Sequence, residues 1–114
     1  MTLSEKQRLF MRLLGRFLTW IYQEGYEVIG GELQRGKLQA EANAASGVGI
    51  ANSLHLKCLA IDLSLIVNGK YKTDTLAYSA LGAYWKALHP LARWGGDFSK
   101  PDGGHFSIEH EGVR

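Results

Sequence analysis

The sequence has one cysteine, no long apolar run and little excess charge, and each of these absences excludes a class of protein. Cys58 is the only cysteine, so the chain can form neither an intramolecular disulfide nor a cysteine-based zinc finger, and synthesis in a reducing compartment is expected. No apolar run approaches the ~20 residues of a transmembrane helix. The net charge is only +2, without a basic run, so nothing indicates nucleic-acid binding.

The composition is that of an ordinary globular protein. Hydrophobic residues make up 46% of the 114 residues, which argues against disorder and predicts a single domain over residues 1–114. The first residues lack the apolar core and small-residue cleavage site of a signal peptide, so we expect none. The mild positive charge would favour approach to an anionic polymer such as a cell wall. We expect a monomer that does not insert stably into membranes.

Two helices are predicted from capping residues and apolar spacing. Ser4 and Gln7 have the spacing of a capping box, and Gly25 is a plausible end for the helix that follows. Asp74 can cap a second helix that runs from residue 75 to about Leu88. The polar side of the first helix carries Arg8, Arg12 and Arg16. We interpret this side as a solvated face, with a membrane-surface helix as the alternative.

Three segments have the composition of strands, namely residues 26–29, 58–67 and 105–110. Asn68 and Gly69 form a turn signal after the second segment. Residues 32–52 have no clear periodicity, although this polar segment could form one wall of a cleft. The order of elements predicts an α+β fold, with helices packed on one side of a small, mainly antiparallel sheet and a zinc site on its open face.

Alternation along the strands places polar groups on one face. In residues 58–67, Asp62 lies in the middle of a face of small and polar residues that includes Cys58, and the opposite face is apolar. If this strand pairs with the last one, Asp62 and His105 project from the same face, and His55 can fold over it from the preceding loop. An unpaired buried carboxylate would be costly, and a metal removes that cost. Two imidazoles and a carboxylate suit zinc, although other divalent metals also fit.

A further carboxylate lies three residues before His105. Asp102 is followed by Gly103-Gly104, which lets the chain turn tightly and lets the acid lean over the metal. A catalytic zinc needs an open position beside three protein ligands, and Asp102 could then act as general base toward a metal-activated water. Taken alone, an Asp-Gly-Gly segment is an ordinary turn, and a single histidine or aspartate is more often structural.

These motifs resemble a known family of enzymes. The pattern Ser53-x-His55-x6-Asp62, followed by Asp102-x-x-His105-Phe106, resembles the zinc D-alanyl-D-alanine carboxypeptidase and L-alanyl-D-glutamate endopeptidase family, which cleaves peptidoglycan peptides. The resemblance runs from about residue 32 to residue 106. The segments 52–55 and 93–98 look most like the short, single-domain endolysins of bacteriophages.

The resemblance implies a role for each site residue. His55, Asp62 and His105 would bind one zinc ion, and Asp102 would be the catalytic base. Arg35 would polarise the scissile carbonyl or hold a substrate carboxylate, unless it is simply a surface arginine. Further candidates, either for orienting a ligand histidine or for contacting substrate, are Ser53, Asp97 and Glu109.

Cys58 departs from the family pattern, because many relatives have glycine there. We favour Cys58 as a residue that does not bind the metal. If it were a ligand, the site could become closed and structural.

The resemblance implies a peptidoglycan hydrolase that attacks a stem-peptide amide bond, with L-Ala-D-Glu preferred. A D-Ala-D-Ala carboxypeptidase and a non-catalytic, zinc-containing wall-binding module are the alternatives. Cleavage of the glycan strand would need two carboxylates flanking a sugar, and the sequence offers no recognisable pair. By analogy with phage enzymes, the protein would accumulate in the host cytoplasm and reach the cell wall through a membrane lesion made by another protein.

Overall fold

The computed structural model describes residues 1–31, 33 and 54–114. Its helices and strands are, in order, α1 (Leu3–Gln23), β1 (Glu27–Gly30), β2 (Ala60–Val67), β3 (Lys70–Tyr71), α2 (Ser79–Leu88), β4 (Ala92–Trp94) and β5 (His105–Ile108). Short 3-10 turns at Leu54–Lys57, Thr75–Tyr78 and Gly95–Asp97 connect them. None of the described helices has both the length and the apolar character needed to cross a membrane.

The sheet is small and antiparallel. Its strand order is β1-β2-β5-β4, and β3 pairs with the end of β2 through a tight turn at Asn68 and Gly69. Both turn residues have positive φ, as a two-residue hairpin loop requires. β2 is therefore central, and it pairs with β1 on one side and β5 on the other. This arrangement confirms the predicted α+β fold.

The N-terminus of α1 corrects one prediction. The capping box is formed by Thr2 and Glu5 and not by Ser4 and Gln7, so the helix begins at Leu3. The Glu5 N–H donates to Thr2 Oγ1 at 3.2 Å, and the Thr2 N–H donates to Glu5 Oε1 at 2.9 Å. The predicted end is confirmed, since α1 stops at Gln23 and Gly25 adopts a φ of 83°.

The core lies between the helices and one face of the sheet. Phe17 of α1 contacts Phe106 of β5 and Trp85 of α2, with ring centroids 4.8 and 5.2 Å apart. All three side chains are fully buried, and each contributes a few kcal/mol of hydrophobic stabilisation, at ~25 cal/mol per Å² of buried area. The apolar face of β2, Leu63 and Leu65 included, packs on the same side. The helices therefore cover one face of the sheet, as predicted.

The second predicted helix is divided, and one strand was missed. Asp74 acts as a cap, because its Oδ2 accepts from the Ala77 N–H at 3.1 Å, but the first turn is 3-10 and α2 begins only at Ser79. β4 was not predicted, since its three residues are too few to show periodicity and two glycines follow them. The strand predicted over residues 58–67 begins at Ala60.

Candidate active site

Three of the predicted site residues converge. Asp62 of β2 and His105 of β5 are direct partners in the antiparallel register, and His55 lies in the 3-10 turn before β2. His55 Nε2 is 3.4 Å from Asp62 Oδ2, and His105 Nδ1 is 3.5 Å from Asp62 Oδ1. The three ligand atoms all lie within 4.8 Å of one another, so they could hold a metal ion.

The surroundings of Asp62 keep it charged. Burial raises the pKa of this carboxyl, but the His105 and His55 imidazoles outweigh that effect and hold the pKa well below its usual value. Asp62 is therefore ionised at neutral pH, as a metal ligand must be. Its Oδ1 is buried and accepts no hydrogen bond from the described residues. A cation at this point would satisfy that oxygen, so the two imidazoles and one carboxylate fit a catalytic zinc with an open position.

The two histidines are buried, whereas Asp62 reaches solvent. His55 is 2% exposed and His105 is 8% exposed, and their rings meet edge to face with centroids 5.5 Å apart. Phe98 packs on the outer side of the His105 ring at 5.3 Å. The Asp62 side chain is 41% exposed and borders a cleft, so the site is closed behind the histidines and open beside the carboxylate.

A network of backbone hydrogen bonds shapes the turn before β5. The Asp102 N–H donates to the Gly95 carbonyl at 2.9 Å, and the His105 N–H donates to the Asp102 carbonyl at 3.2 Å. Trp94, whose indole is buried, donates from Nε1 to the Gly103 carbonyl at 2.8 Å. The turn that carries Asp102 is therefore tied to the end of β4 and to the 3-10 turn after it.

Glycines permit the close approach of these segments. A Cβ at Gly95 would collide with the Asp102 carbonyl, and one at Gly104 would come within 2.6 Å of the Leu63 carbonyl. Trp94 packs directly against Gly82 of α2 and against Gly96. The sequence showed this segment only as a turn, and the structural role of Trp94 was missed. The signal that could have revealed this role is a tryptophan followed directly by two glycines.

Asp102 and Asp62 line the same cleft, which has a volume of about 340 Å³. The cleft is lined by residues of β2, by Tyr71 of β3 with the segment that follows it, and by the turn that carries Asp102. The Asp102 side chain is exposed, so it can exchange protons with a bound molecule or with water.

The segment that carries His55 is held by a backbone hydrogen bond of its own and by a side chain of α1. The Leu59 N–H donates to the Leu54 carbonyl at 3.1 Å, and Gln7 of α1 donates from Nε2 to the Lys57 carbonyl at 2.8 Å. Cys58 follows with a φ of 55°, a left-handed conformation that favours glycine. Cys58 therefore does not belong to β2, and the prediction that it shares a strand face with Asp62 was wrong. Within the described residues, the candidate metal group does not include it.

The remaining site candidates have other positions. Asp97 pairs with Lys86 at 2.8 Å, and Glu109 pairs with Arg93 at 3.3 Å, so both carboxylates have cationic partners. Arg35 and Ser53 lie outside the described residues.

Comparisons with known proteins agree with this geometry. A family model described as D-alanyl-D-alanine carboxypeptidase, within peptidase family M15, matches residues 46–108, which is more than half of the chain. The matched range includes His55, Asp62 and His105 as well as Asp102. Among solved structures, the L-Ala D-Glu endopeptidase ChiX of Serratia marcescens is similar, with a TM-score of 0.75 and 18% identity over 93% of this chain and 85% of that one. No curated protein sequence matches. The chain therefore belongs to the D-alanyl-D-alanine carboxypeptidase family of M15 peptidases, and it is a metallopeptidase that acts on peptidoglycan peptides.

Proposed function

We propose that the protein is a zinc-dependent endolysin that hydrolyses the L-Ala-D-Glu bond of the peptidoglycan stem peptide. The observation that carries this proposal is the convergence of His55, Asp62 and His105 beside a cleft that Asp102 also lines. Two imidazoles and one carboxylate are a donor set for catalytic zinc, and they leave a position open. Residues 1–114 would act as one monomeric zinc peptidase domain.

Each site residue has a distinct task in this proposal. His55, Asp62 and His105 hold the zinc, which when bound supplies a Lewis acid and lowers the pKa of water. The Asp102 carboxylate takes a proton from the attacking water as the oxygen bonds to the scissile carbonyl carbon. It then gives this proton to the leaving amine as the C–N bond breaks, so the carboxylate is regenerated. Arg35 is proposed to stabilise the developing oxyanion.

The comparisons name two different bonds, and we propose the one within the stem peptide. The similar solved structure is described as an L-Ala D-Glu endopeptidase, whereas the family model is described as a D-Ala-D-Ala carboxypeptidase. We favour the endopeptidase because cleavage within the stem detaches the peptide cross-links and lyses the wall, which is the role of a phage endolysin. Release from the host cytoplasm through a separate membrane lesion belongs to the same proposal.

The metal requirement and the bond can be tested together. Purified peptidoglycan fragments are incubated with the protein and the products are identified by mass spectrometry, with chelator and with zinc added back. New peptides starting at D-Glu that vanish with chelator and return with zinc would support the proposal. Release of D-Ala alone would assign the carboxypeptidase instead, and no product from folded, zinc-loaded protein would favour the wall-binding module.

Asp102→Asn tests the general base separately from the metal site. The amide cannot accept the proton, so we expect kcat to fall by about 10²–10⁴-fold while zinc content and thermal stability are kept. Glu24→Gln, at an exposed carboxylate at the end of α1, is the matched control and should keep full activity. Full activity in Asp102→Asn would remove the base assignment.

A further inference from the structure

Lys72 is a cationic residue that lines the cleft beside Asp62. Among the described residues that line it, Lys72 is the only lysine or arginine, and it lies just after the β2–β3 hairpin. We propose that Lys72 binds a substrate carboxylate, the free α-carboxylate of the D-Glu residue next to the scissile bond. Lys72 would thereby select stem peptides in which this group is not amidated. This inference rests on the proposed function and adds a specificity-determining residue to it.

The charges of the cleft favour this role for Lys72. The carboxylates that line the cleft are Asp62 and Asp102, and Lys72 is the lining residue in the described part of the chain whose side chain carries a positive charge, so it is the side chain there with which a substrate carboxylate can form an ion pair. Among the described residues Lys72 has no ion pair, whereas Lys86 and Arg93 are already paired with carboxylates. Within the part of the chain that the structure describes, no carboxylate therefore competes with an incoming anion for the ammonium of Lys72.

The backbone of Lys72 is fixed by hydrogen bonds of both its N–H and its carbonyl. Its N–H donates to the Leu65 carbonyl at 2.9 Å, and its carbonyl accepts from the Tyr78 hydroxyl at 2.7 Å. The same hydroxyl accepts from the Leu65 N–H at 2.9 Å, which closes a ring of three hydrogen bonds. Burial raises the pKa of Tyr78, so the hydroxyl keeps the proton that it donates.

These three hydrogen bonds lower the entropic cost of binding an anion at Lys72. Binding an anion then orders only the lysine side chain, since the main chain is already held. Tyr78, which is 4% exposed, is a positioning residue in this arrangement. The cleft volume of about 340 Å³ is sufficient for one amino-acid residue with its carboxylate, and the exposed ring of Tyr71 borders the same space.

The test compares two stem peptides that differ in one group. One carries D-Glu with its free α-carboxylate, and the other carries D-isoglutamine, in which that group is a neutral amide. For the zinc-loaded wild type we expect kcat/KM to be at least tenfold higher on the acid. Lys72→Met should raise KM for the acid about tenfold or more with kcat little changed, while the amidated peptide loses less than threefold. Lys72→Arg should restore most of the preference.

Matched variants separate this role from a structural one. Lys70→Met neutralises an exposed lysine on the same hairpin that does not line the cleft, and it should keep the preference for the acid. Tyr78→Phe should weaken the preference because the Lys72 carbonyl and the Leu65 N–H lose their partner. Cleavage by the wild type without preference for the acid, or an equal loss on both peptides in Lys72→Met, would overturn the Lys72 assignment alone. No metal-dependent cleavage of either peptide would overturn the proposed function, and this assignment with it.

Discussion

The two histidines beside Asp62 are held by different kinds of structure. His105 belongs to β5, directly opposite Asp62 in the sheet, and the turn before it is tied to Gly95 and Trp94. His55 lies in a 3-10 turn of four residues that a side chain of α1 supports from outside the sheet. One half of the site is therefore part of the sheet itself, whereas the other half lies in a short turn outside the strands. That turn is held by its own hydrogen bond from Leu59 to Leu54, by the burial of Leu54 and by Gln7 of α1. Damage to the first half should cost stability and metal together, and damage to the second half should cost mainly metal.

The largest effect is expected from Gly95→Ala on the His105 side. The added Cβ meets the Asp102 carbonyl and lies close to His105, and neither neighbour can move without distorting β5. We expect a loss on the order of 3 kcal/mol in the free energy of unfolding, together with loss of zinc. Urea unfolding and zinc content by mass spectrometry measure both. Gly15→Ala is the control, because its Cβ would meet nothing within 4 Å and should stabilise the exposed helix by about 0.5–1 kcal/mol. A Gly95→Ala protein with normal stability and zinc would contradict the close packing of the turn.

A smaller effect is expected from Gln7→Ala on the His55 side. The substitution removes the hydrogen bond to the Lys57 carbonyl, which should cost about 1 kcal/mol of stability. Because the 3-10 turn loses one of its supports, we expect zinc affinity to fall up to about tenfold, measured by competition with a chromogenic chelator. Gln23→Ala, at an exposed position of the same helix, should change neither quantity. If Gln7→Ala lowered stability as much as Gly95→Ala, the proposed difference between the two halves would be wrong.

The smallest effect is expected at Cys58, which joins the His55 turn to β2. Both Cys58→Ala and Cys58→Gly remove the sulfur, but only glycine relieves the positive φ. We expect the free energy of unfolding of the glycine variant to be about 1 kcal/mol higher than that of the alanine variant. Both variants should keep full zinc content and activity. Thermal unfolding and zinc stoichiometry are the measurements. Zinc loss in both variants would mean that Cys58 is a ligand after all.

The parts of the fold that could be predicted are those that depend on local pattern. Alternation along β2 separated the apolar residues from Asp62, and the same rule in β5 placed His105 on a matching face. The end of α1 at Gly25 followed from the conformational freedom of glycine. Such features are encoded within a few neighbouring residues, so the sequence alone reveals them.

The missed features depend on contacts between distant segments. The support of the Lys57 carbonyl by Gln7, the bond from Trp94 to Gly103 and the ring around Tyr78 each join residues that no local pattern relates. The capping box failed for a different reason, because Thr2-x-x-Glu5 and Ser4-x-x-Gln7 both match the pattern and the wrong one of the two was chosen. The left-handed backbone conformation of Cys58 was missed because in a sequence it is glycine or asparagine that indicates such a conformation.

The pairing of Asp62 with His105 has a consequence for how the sheet assembles. In an antiparallel pair, a slip of one residue turns every side chain of the shifted strand to the opposite face. The two proposed ligands face each other in only one alignment of β2 against β5, so a metal ion can bind only the correctly aligned sheet. Metal binding would then stabilise the correctly aligned sheet and no other alignment. The catalytic ion would thus also discriminate between native and misaligned strands while the protein folds.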